Sequence, residues 1–235
     1  MIVVKALNAG YGKLQVLYEV NFEARQGEIT AVVGPNGSGK STLLKAIAGI
    51  ARIFSGNVLM GGQDVTRKPP HERAKLGLAY LQQTRNIFQN LTVYENLRMA
   101  AYALDDVAFK DKLDQVLEIV PIRGYLERRA YELSGGWRQM VATAMALMRD
   151  ARYFLFDEPT AQLSPKFASE ILSLIRKLKD MGYTVVLAEQ NAKKALEISD
   201  HAYLLVSGRV NYAGPARDLL NNKELGRLYL GLAKP

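Results

Sequence analysis

The sequence predicts an α/β fold: a parallel sheet covered by helices, with an N-terminal antiparallel β flank and a helical subdomain inserted midway. Two observations carry the α/β core. Short β-branched or aromatic runs recur at 28–33, 79–81, 152–156, 184–188 and 202–206. The segments between them have helical period, the alternation that buries a parallel sheet under helices. A third observation sets the flank apart: residues 3–7, 14–24 and 56–60 read as strands joined by the turns Asn8-Ala9-Gly10 and Gln26-Gly27, with no room for helices between them.

In chain order, 1–33 and 55–60 contribute the antiparallel flank, and a helix is expected over 42–48, after the glycine-rich loop 34–41 that follows the strand ending at Val33. Residues 84–150 lose the strand signal and form the helical subdomain. Helical period runs there over 93–103, 108–119 and 136–148, the last with Met140, Val141, Ala144, Leu147 and Met148 on its apolar positions. From Pro215 to Leu232 two short helices are expected, opened by proline in the first turn and continued through Leu219, Leu220, Leu225 and Leu228. With no internal repeat or low-complexity segment, 1–235 is read as one domain.

Composition removes several kinds of chemistry. An apolar content of 49% supports a sizeable core, but no apolar run approaches the ~20 residues that cross a bilayer. The start, Met1-Ile2-Val3-Val4-Lys5, has no export-signal pattern, so a cytoplasmic location is expected. With no cysteine there is no disulfide, thiolate metal site or cysteine nucleophile, and His71 and His201 are too scattered for a histidine metal cluster. The net charge of +8 is diffuse: Lys193-Lys194 and Arg128-Arg129 are its longest runs, so a solvated surface is expected and specific nucleic-acid binding is not.

The first chemical motif is Gly34-Pro35-Asn36-Gly37-Ser38-Gly39-Lys40-Ser41, followed by Thr42, which fits G-x-x-x-x-G-K-[ST] between a strand and a helix. Glycines at 34, 37 and 39 let backbone N–H groups turn inward around phosphate oxygens, the helix N-terminus adds positive potential, and Lys40 reaches the outer phosphates. Ser41 offers a hydroxyl to Mg²⁺. The second motif is an apolar strand, Tyr153 to Phe156, ending in Asp157-Glu158. That places two carboxylates at the carboxyl edge of a parallel sheet, where such folds bind ligands. Asp157 suits Mg²⁺ through water, and Glu158 suits polarising an attacking water.

Leu133-Ser134-Gly135-Gly136-Trp137-Arg138-Gln139 resembles the L-S-G-G-Q signature of the ATP-binding cassette (ABC) ATPases, and at family spacing from Asp157. The resemblance covers 2–232. It implies that Tyr11 stacks on adenine, that Gln83 senses Mg²⁺ and the γ-phosphate, with Gln82 beside it leaving a one-residue choice, and that Ser134, Gly135 and Gly136 contact ATP held by a second subunit. Within the family the chain is most similar to the shorter ATPase subunit of branched-chain amino acid importers. Tyr11-Gly12-Lys13, Asn86-Ile87-Phe88, Glu95-Asn96-Leu97, Leu163-Ser164-Pro165, Glu189-Gln190-Asn191-Ala192 and Tyr229-Leu230-Gly231 carry that likeness.

Three positions depart from the general cassette pattern: Trp137 for the signature glutamine, Ser164 for an aspartate, and Gln190 for a histidine that contacts the γ-phosphate. Glutamine donates an amide hydrogen bond but carries neither proton nor charge, so Gln190 implies a slow site on this chain's own phosphate loop and pairing with a histidine-bearing subunit. The implied machine is a P-loop ATPase working as a head-to-tail clamp of two ABC subunits, homo- or heterodimeric, with ATP and Mg²⁺ as ligands. Glu158, Lys40 and Gln190 serve hydrolysis, and Ser41, Gln83 and Asp157 hold the metal. The clamp would sit on the cytoplasmic face of the membrane through permease subunits, with an extracytoplasmic solute-binding protein as an indirect partner. Transport of another solute, such as urea or lipopolysaccharide, and a soluble ABC ATPase that moves no solute remain the alternatives.

Overall fold

The computed structural model describes residues 1–222 and 224. β1 (Ile2–Tyr11) and β2 (Leu14–Ala24) form an antiparallel hairpin, and β3 (Ile29–Val33) then leads through a glycine-rich loop into α1 (Lys40–Ile47). β4 (Arg52–Met60) and β5 (Gln63–Asp64) complete a four-stranded antiparallel sheet of order β2-β1-β4-β5. After α2 (Pro70–Lys75) and β6 (Leu78–Leu81) come three helices in succession, α3 (Val93–Ala100), α4 (Asp106–Ile119) and α5 (Gly135–Met148). The chain continues as β7 (Tyr153–Asp157), α6 (Pro165–Asp180), β8 (Thr184–Ala188), α7 (Ala192–Ile198), β9 (His201–Val206), β10 (Arg209–Pro215) and α8 (Ala216–Asn221). The second sheet has the order β10-β9-β3-β8-β7-β6, parallel throughout except for β10, which turns back antiparallel on β9.

Several boundaries differ from the sequence reading. The antiparallel flank ends at Ala24 and not at 33, because β3 lies between β8 and β9 in the parallel sheet. On its other side the flank starts earlier, at Arg52, since the whole of β4 pairs with β1. Asn8-Ala9-Gly10 is not a turn: β1 runs through it to Tyr11, and bulges near Leu7 and Ala9 absorb the irregularity. Gly10 is needed for close approach, since a Cβ there would lie 2.0 Å from the Leu14 carbonyl oxygen. The helix expected at 93–103 ends at Ala100, and the next begins at Asp106, where the Asp105 carboxylate caps the N–H groups of Val107 and Ala108. β10 fills the space before Pro215, and the second tail helix falls outside the described residues.

Two apolar cores lie on opposite faces of the parallel sheet. Alternation along β7 sends Phe154 and Phe156 into the core shared with α3 to α7, while Leu155 enters the core shared with α1 and the antiparallel sheet. Burial on both faces fixes the strand's register, so Asp157 must emerge at its carboxyl end. α6 shows the same logic at helical period. Ser164 accepts the Phe167 N–H as N-cap, Pro165 takes the first turn, and Ala168, Ile171, Leu172, Ile175 and Leu178 form the buried stripe.

The far end of α1 is held by an unusual partner. Arg73, 1% exposed, donates to the carbonyls of Ala46 (2.8 Å), Ile47 (2.6 Å), Lys68 (2.9 Å) and Thr66 (3.0 Å). A buried cation at a helix C-terminus satisfies carbonyls that have no intrahelical donor and opposes the negative end of the dipole. Burial lowers its pKa to about 10.

Candidate nucleotide site

The loop from Gly34 to Lys40 folds back on itself: the Ser38 N–H reaches the Pro35 carbonyl at 3.2 Å, and Gly208 N–H reaches the Ser38 carbonyl at 2.9 Å. Gly39 has φ of 103°, a left-handed geometry costly for any residue with a Cβ. Pro35, Asn36 and Gly37 are exposed, whereas Ser38 and Lys40 are buried, and the Ser38 hydroxyl has no hydrogen-bond partner. Lys40 Nζ donates to the carbonyls of Gly34 (2.9 Å) and Pro35 (3.1 Å). Burial pulls its pKa below the ordinary lysine value, and the negative charges of Glu158, Asp157 and Glu189 oppose that fall. The loop therefore presents a buried ammonium and an orphaned hydroxyl, both suited to an anion.

β7 delivers the carboxylates to the same place. Ser41 Oγ donates to Asp157 Oδ1 at 2.7 Å, and the Tyr80 hydroxyl donates to Asp157 Oδ2, also at 2.7 Å. Tyr80 is on β6, whose pairing with β7 puts it beside Leu155. Burial first, and the Asp157 carboxylate second, raise its phenol pKa well above the ordinary value. Ser41, Tyr80, Gln83, Asp157 and Glu158 surround a cavity of about 240 Å³. Glu158 has φ of +52°, rare for a side chain of its size, and its N–H is bonded to the Ala188 carbonyl at 2.9 Å. A larger groove of about 980 Å³ lies between β4 and α2, beside Arg73, and includes none of these residues. Size alone does not choose the site.

Other expected residues take up distinct positions. Tyr11 is exposed, its hydroxyl 3.4 Å from Thr42 Oγ1 and its ring under Lys45. Gln82 is tied to Asn86 through reciprocal backbone–amide bonds of 2.9 and 2.5 Å, and Gln83 borders both the 240 Å³ cavity and an adjoining cleft of about 490 Å³. Gly135 borders that cleft; Ser134, Gly135 and Gly136 do not line the cavity around Ser41 and Asp157. Ser134 and Gly135 are exposed at the N-terminus of α5. Gln190 is exposed just beyond β8, its N–H bonded to Glu189 Oε2 at 3.2 Å.

The donor set fits a hard cation bound together with phosphates. Ser41 and Asp157 offer oxygen ligands, and among the described residues no cluster of three His, Asp or Glu forms a self-sufficient cage. A Cβ at Gly34 would meet the Leu205 carbonyl at 2.1 Å, so the start of the cradle has no spare volume. The family profile described as ABC transporter matches residues 17–161. The chain belongs to the ABC transporter family.

Among its relatives, the probable branched-chain amino acid transport ATP-binding protein LivF of Archaeoglobus fulgidus is 53% identical over 99% of both chains. The high-affinity branched-chain amino acid transport ATP-binding protein BraG of Pseudomonas aeruginosa is 36% identical over 98% of this chain and 100% of its own. A solved ATP-binding cassette of an ABC transporter in its ADP conformation superposes with a TM-score of 0.88 at 26% identity, covering 97% of each chain. The fold is that of the ABC ATPases, and the chain is a nucleotide-binding member of them.

Two of the departures from the ABC pattern now have a structural explanation. Trp137 is half-buried, 4.3 Å from the Tyr125 ring centroid and 5.3 Å, edge-on, from Phe167. It makes an aromatic wedge under the signature turn. Ser164 caps α6. Tyr80, Thr160 and Glu189 were not singled out from sequence. Tyr80 lies on the strand next to β7, and Glu189 leaves the same sheet edge as Asp157, so strand order, had it been known, would have found both.

Proposed function

We propose that this chain is the ATP-binding and hydrolysing subunit of a membrane importer for branched-chain amino acids. The chemistry rests on one observation: the Ser41–Asp157 pair and Glu158 line one cavity, and the buried Lys40 ammonium lies within electrostatic reach of both carboxylates. The solute class rests on the full-length similarity to the archaeal transport protein.

Lys40 exchanges its two carbonyl partners for phosphate oxygens, a gain because charge-assisted bonds to an anion are about twice as strong as neutral ones. The loop N–H groups and the Ser38 hydroxyl take the remaining phosphate oxygens. Ser41 and Asp157, with Gln83 at the cavity rim, would hold Mg²⁺, which supplies neutralisation of charge on the β and γ phosphates. Tyr80 keeps the second Asp157 oxygen fixed. Glu158 orients and deprotonates the attacking water, and Gln190 offers an amide hydrogen bond near the γ-phosphate. Tyr11 stacks on adenine, and Ser134, Gly135 and Gly136 reach ATP held by a second ABC subunit, the exposure of Ser134 and Gly135 leaving the start of the turn free to do so. Permease subunits bring the clamp to the cytoplasmic face of the membrane and, through them, to a solute-binding protein outside.

The test is reconstitution of the full chain with its permease subunits, paired ATPase and solute-binding protein in proteoliposomes. Leucine, isoleucine and valine should stimulate ATP hydrolysis and be taken up, and where the paired ATPase has its own phosphate-loop lysine disabled, Lys40→Ala should abolish the remaining hydrolysis. Stimulation by urea alone, or hydrolysis indifferent to every solute, would overturn the importer reading.

A further inference from the structure

Glu189 has no role in the mechanism above, yet its surroundings are specific. It follows β8 directly and is 3% exposed. Its Oε1 accepts from both the Thr160 N–H (3.0 Å) and the Thr160 hydroxyl (2.7 Å), and its Oε2 accepts from the Gln190 N–H (3.2 Å). Thr160 and Gln190 lie on the loops that leave two neighbouring strands, β7 and β8, whose last paired residues are Asp157 and Ala188. The carboxylate therefore links the two loops one step beyond the end of the sheet. Burying a carboxylate is costly unless its hydrogen bonds are made, and here burial raises its pKa while the bonds from Thr160 oppose the rise.

The backbone of Glu158 gives that link a purpose. A non-glycine residue at φ of +52° persists only where its surroundings fix it. Two backbone bonds contribute, Glu158 N–H to the Ala188 carbonyl (2.9 Å) and Ala161 N–H to the Glu158 carbonyl (3.1 Å). Any sequence with this backbone could make those. The pair of hydrogen bonds that Thr160 donates to the Glu189 carboxylate is the part that depends on side chains. We propose that Glu189 is a positioning residue, bracing the turn Glu158-Pro159-Thr160 against the loop that carries Gln190 and so setting where the Glu158 carboxylate stands during hydrolysis. The inference rests on the reading of Glu158 as the water-orienting base.

The full chain and its Glu189→Ala, Glu189→Gln, Thr160→Val and Thr160→Ser variants are compared in two assays: steady-state ATP turnover in a complex whose paired ATPase has its own phosphate-loop lysine disabled, so that only the site on this chain is read, and equilibrium titration with a fluorescent ATP analogue. Glu189→Ala is expected to lower kcat by about 10²-fold, the effect of displacing a catalytic group by roughly 1 Å, with analogue affinity retained. Glu189→Gln, which keeps an acceptor for Thr160 but sets an N–H against that of Gln190, should fall between. Thr160→Val should lose part of kcat, and Thr160→Ser, which keeps the hydroxyl, should restore most of it. The double variant Thr160→Val/Glu189→Ala should be no slower than Glu189→Ala alone, because both act through one contact. Wild-type kcat in Glu189→Ala, a parallel fall of kcat and affinity, or additive losses in the double variant would each overturn the brace. If Glu189→Ala does not fold, the Glu189→Gln and Thr160 variants decide. A wild-type chain that binds no analogue would instead refute the nucleotide reading itself, and this inference with it.

Discussion

Gly136→Ala should destabilise the protein, although replacing glycine by alanine inside a helix ordinarily stabilises it by ~1 kcal/mol. An added Cβ at 136 would lie 2.2 Å from Cδ1, 2.6 Å from Cγ and 2.8 Å from Cε1 of Phe167. That ring cannot swing aside freely, because it is edge-on to Trp137, which in turn packs on Tyr125. Overpacking costs about 1–3 kcal/mol, and losing the aromatic pair about 0.5–1.5 kcal/mol more. Against the helix gain the net loss is about 2 kcal/mol, which lowers Tm by ~4–8 °C in a chain of this size. Gly135→Ala is the control: its Cβ meets only the Leu163 Cδ2 methyl at 3.2 Å, and the effect should be close to neutral. Urea unfolding followed by Trp137 fluorescence measures both. A Gly136→Ala chain as stable as wild type, or an equal loss in Gly135→Ala, would show that the packing of Phe167 under the signature turn does not govern that turn.

Arg73→Met should cost about 2 kcal/mol in chemical denaturation by stranding the Ile47 carbonyl, while Ala46 keeps the Gly49 N–H, with Arg73→Lys recovering only part; a loss below about 0.5 kcal/mol would mean water replaces the guanidinium easily. Lys40→Ala should weaken binding of a fluorescent ATP analogue by ~10–100-fold, the loss of charge-assisted phosphate bonds worth about 1.5–3 kcal/mol, and unchanged affinity would place the nucleotide elsewhere. Glu189 has a pKa raised above its ordinary 4.5, so over that window the folded protein holds a proton that the unfolded chain has released. Stability should therefore decline as pH rises from 4.5 through the raised value, and Glu189→Gln should flatten the slope of Tm against pH; identical slopes would assign the dependence to other groups.

The sequence showed the site's charged chemistry more clearly than its geometry. The loop 34–41 and the strand ending in Asp157-Glu158 were legible because each combines a local pattern with a residue type the chemistry needs. β8 was legible to the residue, since five consecutive buried apolar or β-branched residues leave no other reading. β1 was misread at Asn8-Ala9-Gly10, where turn-like composition serves a bulged strand and a close backbone contact. β10 was missed because its alternately half-exposed positions give little apolar signal. Tyr80 and Glu189 escaped for another reason. Each matters only through a neighbour in the sheet, Asp157 for one and Thr160 for the other, and strand order is not written in local pattern.

The placement of β3 between β8 and β9 has a consequence for how the protein is made. The phosphate loop is synthesised early, yet both strands that flank its root come from the last part of the chain. A nascent or truncated polypeptide ending before Thr184 holds the whole glycine-rich motif and still lacks the walls that shape it. Such contacts between distant segments form late, after long loops have closed. Ligand affinity is thus expected only of a chain that extends through β9, and nucleotide, by binding the completed sheet, selectively stabilises such molecules over shorter ones.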